Sequence, residues 1–328
     1  MPSIKTKAIR IYETGGPEIL RYEDIDLPDP GPKEVRIRHT AIGLNFIDTY
    51  HRSGFYPVPL PSGLGIEAAG IVEAVGDSVT SFKPGDRIAY GGSPVGAYSQ
   101  AANVRASLLS KLPDNISDQQ AGAMMVKGMT VRYLFKETYK LKAGDTILFH
   151  AAAGGVGLIA CQWAKHLGVT LIGTVGSDEK AELARAHGCA HVINYRTENF
   201  VARVKDITGG KGVPVVYDGV GKDTFLGSLD CLRPRGLLAS FGNASGPVDT
   251  FDLGLLAAKG SLYVTRPTLM HYTSTAADLA ATANDLFDVV AKGIVKIEIN
   301  QTYRLADAAR GHADLEARKT TGASLLVP

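Results

Sequence analysis

At 328 residues, with 45% apolar and 21% charged side chains, the chain is too long for one ordinary core, so about two domains are expected and disorder is excluded. Lys plus Arg number 35 and Asp plus Glu 33, a formal charge of +2 without any basic run, which disfavours nucleic acid as a partner. The opening MPSIKTKAIRIYETGG lacks the apolar core of a secretory signal, and the longest near-apolar run, Ala151 to Cys161, is too short for a bilayer, so a cytoplasmic protein without a membrane span is expected.

From Lys7 to about Leu112, short alternating stretches (KAIRIYE, EVRIRHTAIGL, IEAAGIVEAVG, DRIAYG) are separated by clusters such as Gly15-Gly16-Pro17 and Pro28 to Pro32, the pattern of a β-rich domain. NFIDTYHRSG interrupts it with one or two helical turns. From about Asn115 to Lys140 the pattern is helical, with Ser117 as N-cap. Beyond Lys140, apolar strands alternate with amphipathic helices. The strands are TILFHA (146–151), TLIGTV (170–175), HVINY (191–195), PVVYDGV (214–220), LLASFG (237–242) and SLYVTR (261–266). Parallel strands need a helix-length return, so six of them imply a doubly wound Rossmann sheet. After Pro267 a helix in TAADLAATANDLFDVVAKG and a short strand, ASLLVP, abandon that alternation. The expected architecture is α/β, with a β-rich domain at 1–126 and 268–328 and an inserted Rossmann domain at 127–267. Cys161, Cys189 and Cys231 are odd in number and form no CxxC pair, which predicts buried, reduced thiols.

Chemistry begins where the first Rossmann strand meets its helix, at Ala151-Ala152-Ala153-Gly154-Gly155-Val156-Gly157. Without side chains, Gly154, Gly155 and Gly157 let the backbone approach a pyrophosphate at a helix N-terminus, where unpaired N–H groups and the helix dipole favour anions. About 20 residues further on, an NAD-selective site places an acid against the ribose 2′-hydroxyl. This chain has Gly176 and Ser177 there, with Lys180 one turn into the next helix. Ser177 can donate to a 2′-phosphate and Lys180 can pair with it, so NADPH is favoured over NADH. Asp178 reads as a first-turn helix residue stabilised by the dipole.

The segment GDTILFHAAAGGVGLIACQWAK (144–165), with GLNFIDTYHRSGFYP and PSGLGIEAAGIVEAVG upstream, resembles the quinone oxidoreductase and ζ-crystallin family, a zinc-free branch of the medium-chain dehydrogenase/reductase superfamily. The resemblance covers essentially the whole chain. It implies a GroES-like β domain carrying an inserted Rossmann domain, NADPH as cofactor and a quinone as acceptor, met in an interdomain cleft. It also implies that Ser177, Lys180 and Tyr195 surround the 2′-phosphate, that Phe241, Gly242, Asn243 and Arg318 make further cofactor contacts, and that Asn45 and Tyr50 lie beside the nicotinamide with Tyr56, Lys127 and Thr130 nearby. Gly219 stands where relatives often carry serine.

Alcohol dehydrogenases of the superfamily bind catalytic zinc through a Cys and through the His of a GHE motif, where this chain has Asn45 and Gly65-Ile66-Glu67. Their structural zinc needs four cysteines, yet none precedes Cys161. Alcohol oxidation is therefore disfavoured and a more easily reduced acceptor is expected. His187-Gly188-Cys189-Ala190-His191 offers three potential ligands but falls at an expected surface turn, and His150 reads as a packed polar residue. Two alternatives to quinone reduction stand: an NADPH-dependent alkenal or enoyl reductase, and a non-catalytic NADPH-binding, RNA-binding or crystallin-like protein. Strand 261–266, last in the sheet, would leave an exposed edge, which predicts a homodimer formed through it.

Overall fold

A computed structural model of the chain describes residues 3–328. They form two compact units. One takes the described residues up to Met129 with Tyr272–Ala291 and Ile297–Pro328; the other takes Thr130–His271 with Lys292–Lys296.

The first unit opens with β1 (Ser3–Ile11), β2 (Arg21–Pro28) and β3 (Glu34–Leu44), followed by helix α1 (Phe46–Ser53). Next come β4 (Ser62–Gly63), β5 (Glu67–Val75), β6 (Arg87–Gly91), β7 (Ala101–Arg105) and β8 (Ser110–Lys111). β2, β1 and β4 make a small antiparallel sheet; β8, β6, β5 and β3 run through the larger one, with β7 also on β3. The charged alternation of β2, RYEDIDLP, suits an edge strand, because its outward groups discourage further pairing. β3 and β5 turn apolar faces into a core of Ile9, Ile11, Val35, Ile37, Ile42, Leu44, Val72 and Tyr98.

Helix α2 (Asp118–Tyr133) starts in this unit. Ser117 caps it as expected: its hydroxyl accepts from the Gln120 N–H at 3.2 Å while Gln120 Oε1 accepts from the Ser117 N–H at 2.9 Å. Most of its positions from Ala121 to Tyr133 are buried, so it behaves as a core helix. The helical stretch expected to reach Lys140 gives way to a π-helical turn at Leu134–Thr138. The Leu134 carbonyl there accepts both the Tyr139 N–H and the buried Tyr217 hydroxyl, and such an inserted donor interrupts an α-helical ladder.

The second unit alternates β9 (Thr146–Phe149), α3 (Gly155–His166), β10 (Thr170–Val175), α4 (Asp178–Ala186), β11 (His191–Asn194) and α5 (Phe200–Ile207). It continues with β12 (Val213–Asp218), α6 (Phe225–Asp230), β13 (Leu232–Ser240), α7 (Gly254–Ala258) and β14 (Tyr263–Thr265). The six strands pair in parallel in the order β11-β10-β9-β12-β13-β14, the doubly wound arrangement the alternation predicted. Only β10 keeps both expected ends; the other strands differ by one or two residues at one or both ends, and β13 by more. β9 stops at Phe149, just before the chain turns at Ala151 with a left-handed φ of 57°, and β13 begins five residues early because Leu232 already pairs with Val213, ahead of a register shift in which Arg235 takes a left-handed φ of 61°.

The chain finishes with α8 (Leu269–Tyr272), α9 (Ala276–Ala291), β15 (Ile299–Arg304), α10 (Ala308–Glu316) and β16 (Ala323–Val327). β16 pairs with β3, so the last strand returns to the first unit's sheet. Among the described residues, no helix is long and apolar enough to cross a membrane. Cys161, Cys189 and Cys231 are all free and buried.

Candidate functional site

In the second unit, the turn from β9 into α3 has the geometry of a phosphate cradle. Ala151 adopts a left-handed φ of 57°, and Gly154 starts α3 without a capping side chain. The first-turn N–H groups of Gly155, Val156 and Gly157 therefore receive no cap from that residue's side chain. A Cβ on Gly157 would fall on the Ala151 carbonyl oxygen and within 2.6 Å of the Ala152 carbonyl carbon. Only glycine permits this close crossing, and these residues fit a pyrophosphate.

At the end of β10, four expected residues meet. Ser177 caps α4 by accepting the Lys180 N–H at 3.3 Å, and Tyr195 folds over Gly176, where an added Cβ would lie 2.6 Å from the tyrosine hydroxyl. Asp178 lies in the first turn of α4, where Asn194 Nδ2 donates to it at 2.9 Å. Gly176, Ser177 and Tyr195 thus meet at a partly exposed corner that Lys180 joins through its backbone N–H, and the Ser177 side chain also bonds the Glu179 carboxylate.

Phe241, Gly242 and Asn243 follow β13 and pack on the turn after β12. A Cβ on Gly219 would stand 3.0 Å from the Phe241 ring, and one on Gly242 would fall on the Gly219 carbonyl. The glycine at 219 therefore keeps room for Phe241. Arg318, exposed after α10, belongs to the first unit. Beneath the cradle, His150 is buried between Thr174 Oγ1 and Ser228 Oγ, each 2.9 Å away, and the Ser228 hydroxyl donates to Asp218 at 3.0 Å. It is the packed polar residue expected, and burial lowers its pKa.

The first unit gathers a different set. Glu67 is completely buried, and three donors surround its carboxylate. Oε2 accepts from Asn45 Nδ2 at 2.7 Å and from Lys127 Nζ at 3.0 Å; Oε1 accepts from the Val126 N–H at 2.8 Å. Only Gly43 can pass above it, since a Cβ there would fall on Glu67 Oε2. Composition offers no hint of this pairing, although a glutamate inside the apolar run IEAAGIV is the signal that could have revealed it. Asn45, which precedes α1, spends its amide donor on Glu67.

One helical turn on, the Asp48 carboxylate accepts the Asn45 N–H and the Tyr98 hydroxyl, each at 2.8 Å, while its Oδ1 meets no hydrogen-bond partner among the described residues. Burial, only partly offset by those donors, pushes Asp48 up to about 7. Tyr98 also meets His312 Nε2 at 3.1 Å; Arg52 contacts the other ring nitrogen and forks onto Glu316. On the far side of α1, the Tyr50 and Tyr56 rings meet edge to face at 5.2 Å. Thr130 lies on α2 at 8% exposure and is counted with the second unit. The structure thus joins Asn45 to Lys127 through Glu67, and Tyr50 to Tyr56. Among the described residues, no three His, Cys, Asp or Glu side chains are grouped as metal ligands, the 187–191 segment included.

A β-rich unit closed by its own C-terminal strand, together with a six-stranded doubly wound unit bearing a glycine cradle, defines a dehydrogenase/reductase of the medium-chain class. Comparison with known proteins agrees. Residues 31–114 match the alcohol dehydrogenase GroES-like domain and residues 155–286 the zinc-binding dehydrogenase domain. A quinone oxidoreductase from Pseudomonas aeruginosa is 59% identical over 98% of this chain and 99% of its own. A 2-haloacrylate reductase from a Burkholderia species is 47% identical over 97% and 98% respectively. The crystal structure of Escherichia coli quinone oxidoreductase complexed with NADPH superposes with a TM-score of 0.97 at 53% identity, covering 98% of this chain and all of that one. The chain belongs to the quinone oxidoreductase family of the medium-chain dehydrogenase/reductase superfamily.

Proposed function

We propose that this protein is an NADPH-dependent quinone reductase. The observation that carries the reading is the Gly176–Ser177–Lys180–Tyr195 patch at the end of β10, which offers a hydroxyl and a cation where an NAD-selective site has an acid. Gly154, Gly155, Val156 and Gly157 would hold the pyrophosphate, and Phe241, Gly242, Asn243 and Arg318 would add contacts. NADPH, when bound, supplies the reducing equivalents. Asn45, Tyr50, Tyr56, Lys127 and Thr130 orient the acceptor, which orientation and hydrogen bonding make reducible without a Lewis acid because quinone oxygens take up charge readily. In this reading the first unit is the substrate domain and the second the cofactor domain.

The 2-haloacrylate reductase relative favours one second reading, reduction of an activated carbon–carbon double bond with the same cofactor. Steady-state NADPH and NADH oxidation with 1,4-benzoquinone, an enal and an alcohol separates them. The first reading expects NADPH with the quinone to be fastest; faster turnover of the enal favours the second, and faster turnover with NADH removes the cofactor assignment.

The same proposal extends to assembly and location. β14 ends the sheet, has only β13 as a strand partner among the described residues and exposes Tyr263 by 62%, which suits pairing of two copies edge to edge. Sedimentation at micromolar concentration should give a dimer; a monomer removes that part. The protein acts in the cytoplasm, and cell fractionation that finds it in the membrane pellet contradicts this.

A further inference from the structure

Lys127 is a cation with more donors than partners. Its side chain is 7% exposed, and its ammonium carries three N–H groups. Among the described residues, Glu67 Oε2 at 3.0 Å is the one hydrogen-bond partner of those three. Glu67 has no capacity to follow a moving charge, because Asn45 and Val126 hold it from two other directions. A buried ammonium with unused donors is costly unless something negative completes its shell.

From this geometry we infer that the Lys127 ammonium is an oxyanion-binding group, fixed by Glu67 and Asn45, which takes the acceptor oxygen on which negative charge develops. The inference rests on the reductase reading and assigns its electrostatics. Hydride addition to a quinone or a conjugated carbonyl breaks a π bond, forms one bond to hydrogen and leaves the electron pair as negative charge on oxygen. The nucleotide supplies the hydride and is oxidised; a proton from water completes the product. Lys127 keeps its own proton and stabilises that oxygen, as preorganised donors do when water is excluded. Glu67 is a positioning residue. It neutralises the cation at rest and leaves its remaining N–H groups for the substrate. The substrate class follows: acceptors whose reduction charges an oxygen are taken, and acceptors lacking such an oxygen are not.

The test uses 4-nitrophenol, whose ionised form is coloured, as a stand-in for the charged product. Parent protein with saturating NADP+ should bind it as the phenolate below the pH at which it ionises in water. Lys127→Met strands the Glu67 carboxylate, so the paired variant Lys127→Met/Glu67→Gln, which removes both charges, is measured beside it, and circular dichroism and NADPH affinity report folding. Folded paired variant should lose phenolate capture and about a hundredfold in kcat with 1,4-benzoquinone, with nucleotide affinity retained; Lys127→Arg should restore part of both. Capture that survives in the paired variant, or kcat within threefold of parent, overturns the inference, as does a parent that reduces quinones yet captures no phenolate. A parent that captures the phenolate through Lys127 but oxidises no NADPH with quinones supports this site and contradicts the reductase reading instead.

Discussion

Lys127 Nζ lies 3.0 Å from Glu67 Oε2, sixty residues away in the chain, with both side chains buried. Removing one partner of a buried ion pair costs about 3–5 kcal/mol, because the other charge is left unpaired, whereas removing both can cost little. Glu67→Gln should therefore lower stability by about that amount, and Lys127→Met/Glu67→Gln should recover most of it. Urea unfolding of the parent, the two single variants and the pair checks this; equal losses in the single and paired variants contradict it.

Gly157→Ala introduces a Cβ where the Ala151 and Ala152 carbonyl groups already stand. The first turn of α3 must shift to admit it. We expect about 1–3 kcal/mol of destabilisation from overpacking and at least about a tenfold weaker NADPH Kd, or ~1.4 kcal/mol. Calorimetric titration of the folded variant reads the second effect; an unchanged Kd would separate the cradle from the cofactor.

Asp48 is an acid whose folded pKa, about 7, lies above its ordinary value of 3.8. The folded state therefore binds its proton more tightly. The stabilisation is complete below pH 3.8 and is lost as pH rises towards about 7. Asp48→Asn keeps an acceptor for the Asn45 N–H and removes the titration. Its stability relative to parent should rise between pH 5 and pH 7 by about 2 kcal/mol, at up to ~1.4 kcal/mol per unit. A difference that does not change with pH contradicts a protonated Asp48.

The buried histidines act in the opposite sense, His39 and His312 most of all. Burial lowers His39 from 6.5 to about 4 and His312 to about 3, the latter helped by the Arg52 cation. The unfolded chain takes up these protons first, so stability is lost as pH falls below 6.5. With Asp48→Asn removing the compensating proton, unfolding free energy should drop by about 3 kcal/mol between pH 6.5 and 5 from this pair alone. Urea midpoints at the two pH values decide it, and a flat profile would place charged or exposed histidines in the fold.

What could be read in advance divides along the same lines. β10 was legible to the residue, since a strand buried in a parallel sheet is a continuous apolar run bounded by turns. The Ser117 cap and the glycine cradle were legible because each is a local device. β13 reads five residues short because Arg233, Pro234, Arg235 and Gly236 look like a turn; Arg235 does take a left-handed φ of 61°, yet Leu232 before it still pairs with Val213. The π-turn at Leu134 depends on Tyr217, eighty-three residues away. In the sequence Glu67 stands out only as part of Gly65-Ile66-Glu67, where zinc enzymes carry a GHE motif. That it carries Asn45 and Lys127 is a tertiary fact, set by the crossing of β5, α2 and the start of α1, and no spacing in the sequence encodes it.

The most direct test of the whole account is NADPH oxidation by 1,4-benzoquinone, measured on chelator-dialysed protein whose zinc content is determined in the same sample. The account predicts full turnover with zinc far below one per chain and no gain when zinc is added back. Turnover that disappears with the metal and returns with it would contradict a site in which Lys127, held by Glu67, does the electrostatic work.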